Sequence, residues 1–271
     1  MKYFLTILCV VFGFITSAQL KVMTYNIRNS KASDGVNKWD LRKDSLFSLI
    51  AQANPDILGT QEVLRDQLRD LQKQFKSYTH VGVGRNNGKR KGEHSTIFFK
   101  PDKFEQITQG NFWLSEFPNQ AGTKSWDAAI TRICTWVKLK DKSTNKVLFV
   151  FNTHLDHKGE LARQNSALLI RDIIDSLTNN EPALLIGDFN CKPYSKTYIN
   201  VVDSNFLIDS YESNEPNYSA CGFEIANKIC SRIDYIFHSP HLQKQDYMLY
   251  TNHNGKYYPS DHLPIVATFT Y

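Results

Sequence analysis

The sequence predicts an α+β fold in which stacked sheets are flanked by helices. Two observations carry this expectation. Apolar stretches of strand length alternate with helical stripes in parts of each half, and a β-meander fills the rest. No repeat, low-complexity tract or linker interrupts the 271 residues, so the chain reads as one domain behind a short leader. Hydrophobic residues at 41%, with 17 phenylalanines and 13 tyrosines, suffice for a large core, and 22% charged residues give no sign of disorder.

The leader comes first. Lys2 makes a positive n-region, Phe4 to Ile15 an apolar h-region, and Thr16-Ser17-Ala18 a small-residue cleavage site before Gln19. This is the pattern of a secretory signal peptide, and the apolar run is short for a bilayer span. The bulky Leu8 before Cys9 argues against lipid modification there. The expectation is therefore a signal peptide over 1–18 and a soluble mature protein over 19–271, periplasmic or extracellular. An oxidising compartment permits disulfides among Cys134, Cys191, Cys221 and Cys230. Cys221 and Cys230, bracketing a short loop, are the favoured pair; zinc is the rival reading, without a CxxC or HxxxH spacing to support it. Net charge is +5, or +4 once Lys2 is removed. That admits an anionic substrate without the lopsided charge of a duplex-gripping domain.

The elements follow in order. Leu20 to Arg28 alternates as a first strand with Asn26 near its end. Asp40 is placed to cap a helix with the stripe Leu41, Leu46, Leu49, Ile50 and Ala53, stopped by Pro55. Asp56 to Glu62 is a second strand; Val63, Leu64, Leu68, Leu71 and Phe75 mark a second helix. Strands are expected at His80–Gly84 and Ser95–Lys100, around a solvated loop carrying Lys89, Arg90 and Lys91. Phe112 to Glu116 and the Trp126 region read as a long loop with anchoring aromatics. Strands return at Ile130–Lys140 and Lys146–Thr153. A helix with the stripe Leu161, Leu168, Leu169, Ile173 and Leu177 leads to the strand Leu184–Ile186. Ser231 to Phe237 and Ile265 to Tyr271 are the last strands.

The chemistry sits where strands end. Asn26, Glu62, His154, Asp156, Asp188, Asn190, Asp234, Asp261 and His262 all fall at or just beyond strand termini. Asp188 and Asn190 are two positions apart after Gly187, so an extended backbone turns them to one face. Hard carboxylate oxygens suit Mg²⁺ and leave room for water and a phosphate oxygen. A histidine beside a carboxylate is oriented and its protonated form stabilised. An aspartate near neutral amides can take a proton from water. The set matches metal-assisted phosphohydrolysis.

Six ordered motifs resemble the endonuclease/exonuclease/phosphatase (DNase I-like) superfamily: Thr24-Tyr25-Asn26, Gln61-Glu62, Asn152-Thr153-His154-Leu155, Gly187-Asp188-Phe189-Asn190, Ile233-Asp234-Tyr235 and Ser260-Asp261-His262-Leu263-Pro264. The resemblance covers essentially the whole mature chain. It implies a four-layer α/β/β/α sandwich with the site at one end of two sheets. It implies Glu62 as principal metal ligand, with Asn26 beside it and Asp261 as a further metal or water contact. Asp188 would position or deprotonate the attacking water, and Asn190 would bind phosphoryl oxygens. His262, oriented by Asp234, would contact the scissile phosphate, with His154 on the other side. Glu93, in Gly92-Glu93-His94-Ser95, resembles the carboxylate that pairs with that histidine in DNase I-like members. Asp156 is assigned to substrate or metal, or to pairing with His157. Trp126, Asp127 and Arg132 resemble a Ser-Trp-Asp…Arg…Thr-Trp pattern of an exported bacterial branch and of nocturnin-like relatives, with Arg132 as a substrate-phosphate contact. Arg28 stands where abasic-site endonucleases carry an acidic residue, which argues against DNA repair.

The expected function is an exported Mg²⁺-dependent phosphohydrolase, with Mn²⁺ as a substitute. Its substrate would be a phosphorylated small molecule, a lipid headgroup or a nucleic acid, and it would be a monomer without a stable protein partner. The alternatives are a secreted DNA or RNA nuclease and, from another class, a non-catalytic phosphate-binding domain on the same fold.

Overall fold

A computed structural model describes residues 19–271; the signal peptide expected over 1–18 lies outside the described residues. In chain order the elements begin β1 (Leu20–Asn26), α1 (Trp39–Ala53), β2 (Ile57–Val63), α2 (Arg65–Gln74), β3 (Thr79–Val81), β4 (His94–Phe99), β5 (Phe104–Trp113), β6 (Ile133–Asp141) and β7 (Val147–His154). There follow α3 (Glu160–Thr178), β8 (Ala183–Asp188), α4 (Lys196–Val202), β9 (Ile208–Asp209), β10 (Asp234–His238), β11 (Gln243–Leu249) and β12 (Ile265–Thr270).

The strands form two six-stranded sheets, ordered β11-β12-β1-β2-β4-β3 and β5-β6-β7-β8-β10-β9. Each sheet has one parallel pair at its middle, β1 with β2 and β7 with β8, and each pair is joined by a helix, α1 or α3. All other pairings are antiparallel.

Strand alternation builds the layers. Val22, Ile57, Leu148, Val150, Leu184 and Ile186 point into the core between the sheets. Their neighbours Met23 and Leu58 face α1 and α2 on one outside, while Phe149, Phe151 and Leu185 face α3 and α4 on the other. The result is the expected α/β/β/α sandwich, with strands buried on both faces and therefore read as near-continuous apolar runs.

Buried polar residues pin the sheets together near one end. Asn152 of β7 donates to the carbonyls of Thr60 (3.0 Å) and Thr96 (2.9 Å) in the opposite sheet, and accepts from Gln61 Nε2 at 2.7 Å. Gln61 also reaches Thr24 Oγ1 at 3.1 Å. Two residues of the recognised motifs thus serve as an inter-sheet clamp.

Several expectations are corrected. The segment from Phe112, expected as loop, includes the end of β5, a ten-residue strand the sequence reading lacked; β11 was missed too. Both are edge strands, solvated along one side and hence mostly polar. The seven-residue α4, begun by Ser195 accepting from Tyr198 N, also escaped notice. β6 begins at Ile133, leaving Ile130 in the loop before it, and β3 is only Thr79–Val81. Asp40 is not the cap of α1: it lies in the first turn, where it complements the helix dipole, after Lys38. Leu41 is exposed rather than part of the buried stripe. In α3 the buried face is Ala162, Ser166, Ala167, Ile170, Ile174 and Thr178, whereas Leu161, Leu168 and Leu177 face outward. Small residues there let the helix approach the Phe149 and Phe151 rings of the sheet.

Candidate active site

Both parallel pairs carry their carboxyl ends to the same edge of the sandwich, so β1, β2, β7 and β8 deliver Asn26, Glu62, His154 and Asp188 there. Pairing sets His154 opposite Asp188 across β7 and β8, and Asp234 opposite Asp188 across β8 and β10. The loop before β12 adds Asp261 and His262. A cleft of about 350 Å³ is lined by Arg28, Glu62, Arg132, His154, Asp188, His262 and their neighbours.

Local backbone distortions aim these side chains. In β2 a bulge against β4 breaks register between Thr60 and Val63, and Glu62 takes a left-handed φ of 63°. Such a conformation is costly for a residue with a Cβ, and bulges re-aim side chains at sheet ends. Gly187 has φ +142°, and a Cβ there would meet the Thr153 carbonyl oxygen at 2.0 Å, so only glycine fits before Asp188. Asn190 has a left-handed φ of 47°, and its N–H donates to Asp188 Oδ1 at 2.9 Å. The Asx-turn and the catalytic pairing are therefore one structure.

Asp188 is 1% exposed and sits at the centre. Its Oδ2 accepts from Asn26 Nδ2 at 3.0 Å and lies 3.3 Å from His154 Nε2 and 3.8 Å from His262 Nε2. Burial, then the nearby Asp234 carboxylate, push its pKa up to about 7. His262 donates through Nδ1 to Asp234 Oδ2 at 2.8 Å. Burial opposes its charge, but Asp234 overrides this and holds its pKa well above the ordinary value. His154 behaves oppositely: burial, then the Arg132 and Arg85 cations, depress its pKa. Asn190 Nδ2, also bonded to the Leu155 carbonyl, donates to His154 Nε2 at 3.0 Å, so His154 is neutral and its approach to Asp188 is not an ion pair.

Glu62 accepts from the N–H and the side-chain amide of Asn29 at 3.0 and 2.9 Å, and from Asn26 Nδ2 at 3.2 Å. Burial works against its ionisation, but the Asn29 N–H and its neighbours keep its pKa below the usual carboxylate value. Asp261 is held by Ser260 Oγ at 3.3 Å and faces Arg28 Nη1 at 3.6 Å. Its pKa is raised by burial and also by the Glu62 charge, a repulsion that a divalent cation between hard oxygens would relieve. The donor set therefore fits a metal at Glu62 and Asp261. Asn26 stands beside it, its amide nitrogen bridging Glu62 and Asp188 and its Oδ1 accepting from Arg28 N. Asp188, Asp234 and His262 also bring potential ligand atoms within 4.8 Å of one another. With His262 protonated and committed to Asp234, that trio is better described as a charged dyad facing a carboxylate.

Glu93, Asp156 and Arg132 make contacts other than those expected, although Glu93 and Arg132 still line the cleft. Glu93 does not pair with His154: its Oε2 meets Arg85 Nη1 at 2.5 Å, and His154 Nδ1 has no partner among the described residues. Asp156 is buried and accepts from the N–H groups of Ile130, Lys158 and Gly159, organising the loop rather than facing the cleft; it does not pair with His157. Arg132, 4% exposed, lies 3.6 Å from Asp156 and donates to His157 Nδ1 at 3.2 Å, while its buried Nε and Nη1 have no hydrogen-bond partner among the described residues. Asp127 accepts from Ala162 N and Leu161 N at the start of α3, so the Ser-Trp-Asp stretch is a scaffold for this wall. Asn29, Arg85 and His157 line or brace the cleft without having been singled out. Asn29, three positions beyond Asn26, carried a spacing signal; Arg85 and His157 depend on tertiary contacts.

An X-ray structure of an endonuclease/exonuclease/phosphatase family protein from Bacteroides thetaiotaomicron is 36% identical, with a TM-score of 0.89, over 93% of this chain and 98% of that one. The mannosyl-6-phosphatase of Bacteroides thetaiotaomicron VPI-5482 is 37% identical, with a TM-score of 0.87, over 93% of this chain and all (100%) of that one. Nocturnin of Xenopus laevis is 25% identical over 93% of this chain and 72% of its own length. A model of the Endonuclease/Exonuclease/phosphatase family matches residues 23–262, from within β1 to the histidine of the charged dyad. The chain belongs to that family, whose members are hydrolases of phosphoesters and generally require a divalent metal.

Proposed function

We propose that this protein is an exported, Mg²⁺-dependent hydrolase of phosphoesters of small polar molecules, with Mn²⁺ as a working substitute. The observation that carries the proposal is the placement of Asp188, held by Asn26 and Asn190, opposite the protonated Asp234–His262 dyad in one cleft. Asp188, with a pKa near 7, orients the attacking water and accepts its proton. His262 donates through Nε2 to the phosphoryl group, and Asp234 keeps that imidazole charged and in place. Asn190 and neutral His154 offer polar contacts on the other side, and the buried Arg132 guanidinium adds positive charge to that wall of the cleft. Glu62 and Asp261 would hold the metal, which would supply neutralisation of phosphoryl charge.

A cleft of about 350 Å³ suits a small ester better than a polymer track, and the likeness to a mannosyl-6-phosphatase supports a phosphomonoester of a hydroxylated molecule. Export is supported by the n-, h- and cleavage-region pattern of residues 1–18 and by the Cys221–Cys230 disulfide. We take the protein to act as a monomer on 19–271. The test is a panel of sugar phosphates, inositol phosphates, sphingomyelin, RNA, plasmid DNA and bis-p-nitrophenyl phosphate with Mg²⁺. Hydrolysis of the sugar phosphates is expected. Preferential cleavage of RNA or DNA would favour a nuclease, and no turnover with any of them would leave a binding domain.

A further inference from the structure

Asp234 and His262 lie on separate segments, and a third segment touches both. Ser219 is fully buried, and its Oγ donates to Asp234 Oδ2 at 2.7 Å, the same oxygen that accepts from His262 Nδ1. The direction of that hydroxyl is forced. Ser219 Oγ already accepts from Ile233 N at 3.1 Å and Asp234 N at 3.0 Å, so its two lone pairs are occupied and its proton points to Asp234. Asp234 Oδ1 has no partner among the described residues, so the Ser219 and His262 bonds alone fix the carboxylate's rotation.

The backbone around Ser219 is equally committed. Its N–H donates to Ser231 O and its carbonyl accepts from Leu263 N, next to His262. Ala220 forms bridges to both Ser231 and His262, while Cys221 N and Gly222 N both donate to Asp261 O. The Cys221–Cys230 disulfide closes this segment two positions beyond Ser219. Hydroxyl, dyad and metal-side aspartate are therefore tied into one unit.

We propose that Ser219 is a positioning residue for this site, acting through Asp234 to hold His262 against the phosphoryl group. This rests on the hydrolase reading above. The expected result is that Ser219→Ala lowers kcat about 10–100-fold, the usual cost of losing a partner of an active-site group, with KM within about twofold. Because the buried N–H groups of Ile233 and Asp234 also lose their acceptor, the urea midpoint falls too, and kcat is compared under conditions where both proteins are fully folded. Ser219→Thr, which keeps the hydroxyl, restores activity. In a His262→Ala background the Ser219→Ala change has no further effect, because its action runs through that histidine.

A readout without substrate accompanies these. The hydrogen-bonded Nδ1 proton of His262, followed by ¹H–¹⁵N NMR, is expected in the wild type and in Ser219→Thr and lost in Ser219→Ala. Unchanged kcat and an unchanged resonance in Ser219→Ala, or equal losses with and without His262, overturn the positioning role. A wild type inert on the whole panel with the resonance still dependent on Ser219 overturns the hydrolase reading and keeps the positioning.

Discussion

At the scale of single residues, the site separates two histidines by their partners. His262 is charged because Asp234 accepts its Nδ1 proton at 2.8 Å, and His154 is neutral because it is buried beside Arg132 and Arg85 and accepts from Asn190. Asp188 sits between them, raised towards neutrality by burial and by Asp234. Replacing it by the isosteric asparagine removes the proton acceptor and keeps the volume. Asp188→Asn is therefore expected to lower kcat by on the order of 10³-fold, with an unchanged far-UV spectrum. His262→Ala should cost a similar factor. Wild-type turnover in either variant, measured on the best substrate of the panel, would exclude the assignment. The sequence exposed these residues because polar groups at the ends of apolar strands are conspicuous. It misplaced Glu93 and Asp156, whose partners Arg85, Ile130 and Gly159 are set by loop packing that no local pattern encodes.

Elements deliver these side chains only because the two sheets are held in register with each other. Asn152 crosses between them to Thr60 and Thr96, with Gln61 completing the clamp, and all are fully buried. Asn152→Ala would remove one buried partner each from the Thr60 carbonyl, the Thr96 carbonyl and the Gln61 amide, the last of which keeps Thr24 Oγ1. At about 1–3 kcal/mol for a buried group left unsatisfied, partly offset by the remaining partners and by relaxation, the loss should be roughly 2–4 kcal/mol. Equilibrium urea unfolding would measure it, and a change below about 0.5 kcal/mol, the scale of neutral surface substitutions, would show that the clamp is dispensable. The central strands were legible because both their faces are buried. The edge strands β5 and β11 were not, since a half-solvated strand has too few apolar residues to stand out from a loop.

Across the whole molecule, burial of titratable groups sets the response to pH. His238 lies far from the cleft, buried and bonded to Ser210 Oγ at 2.9 Å, and burial lowers its pKa to about 4. The fold thus favours the neutral imidazole. Its contribution to stability is full above the unfolded value near 6.5 and is lost as pH falls from there towards about 4. The urea midpoint should drop between pH 7.5 and pH 4.5, and His238→Gln should flatten that drop; an identical slope in both proteins would contradict the linkage. Metal removal is expected to act on function instead. EDTA is expected to silence the enzyme, and Mg²⁺ or Mn²⁺ to restore it, because a metal held by Glu62 and Asp261 would supply the neutralisation of phosphoryl charge. Full activity in EDTA would rule out the metal-assisted route.

The sequence by itself determined the layer architecture, the family and the short set of strand-end residues, because burial on both faces and six ordered motifs are written in local composition and spacing. It also pointed to the pairing of Cys221 with Cys230, which the structure contains. Tertiary structure decided everything that depends on facing across the sandwich. It alone set which histidine carries a charge, that Asp234 and Asp188 stand opposite each other, and that Ser219 aims the dyad. The physical reason is that protonation and hydrogen-bond direction are fixed by neighbours within a few ångströms, and here those neighbours come from segments far apart in the chain, such as Asn26 and Asp188, 162 positions apart.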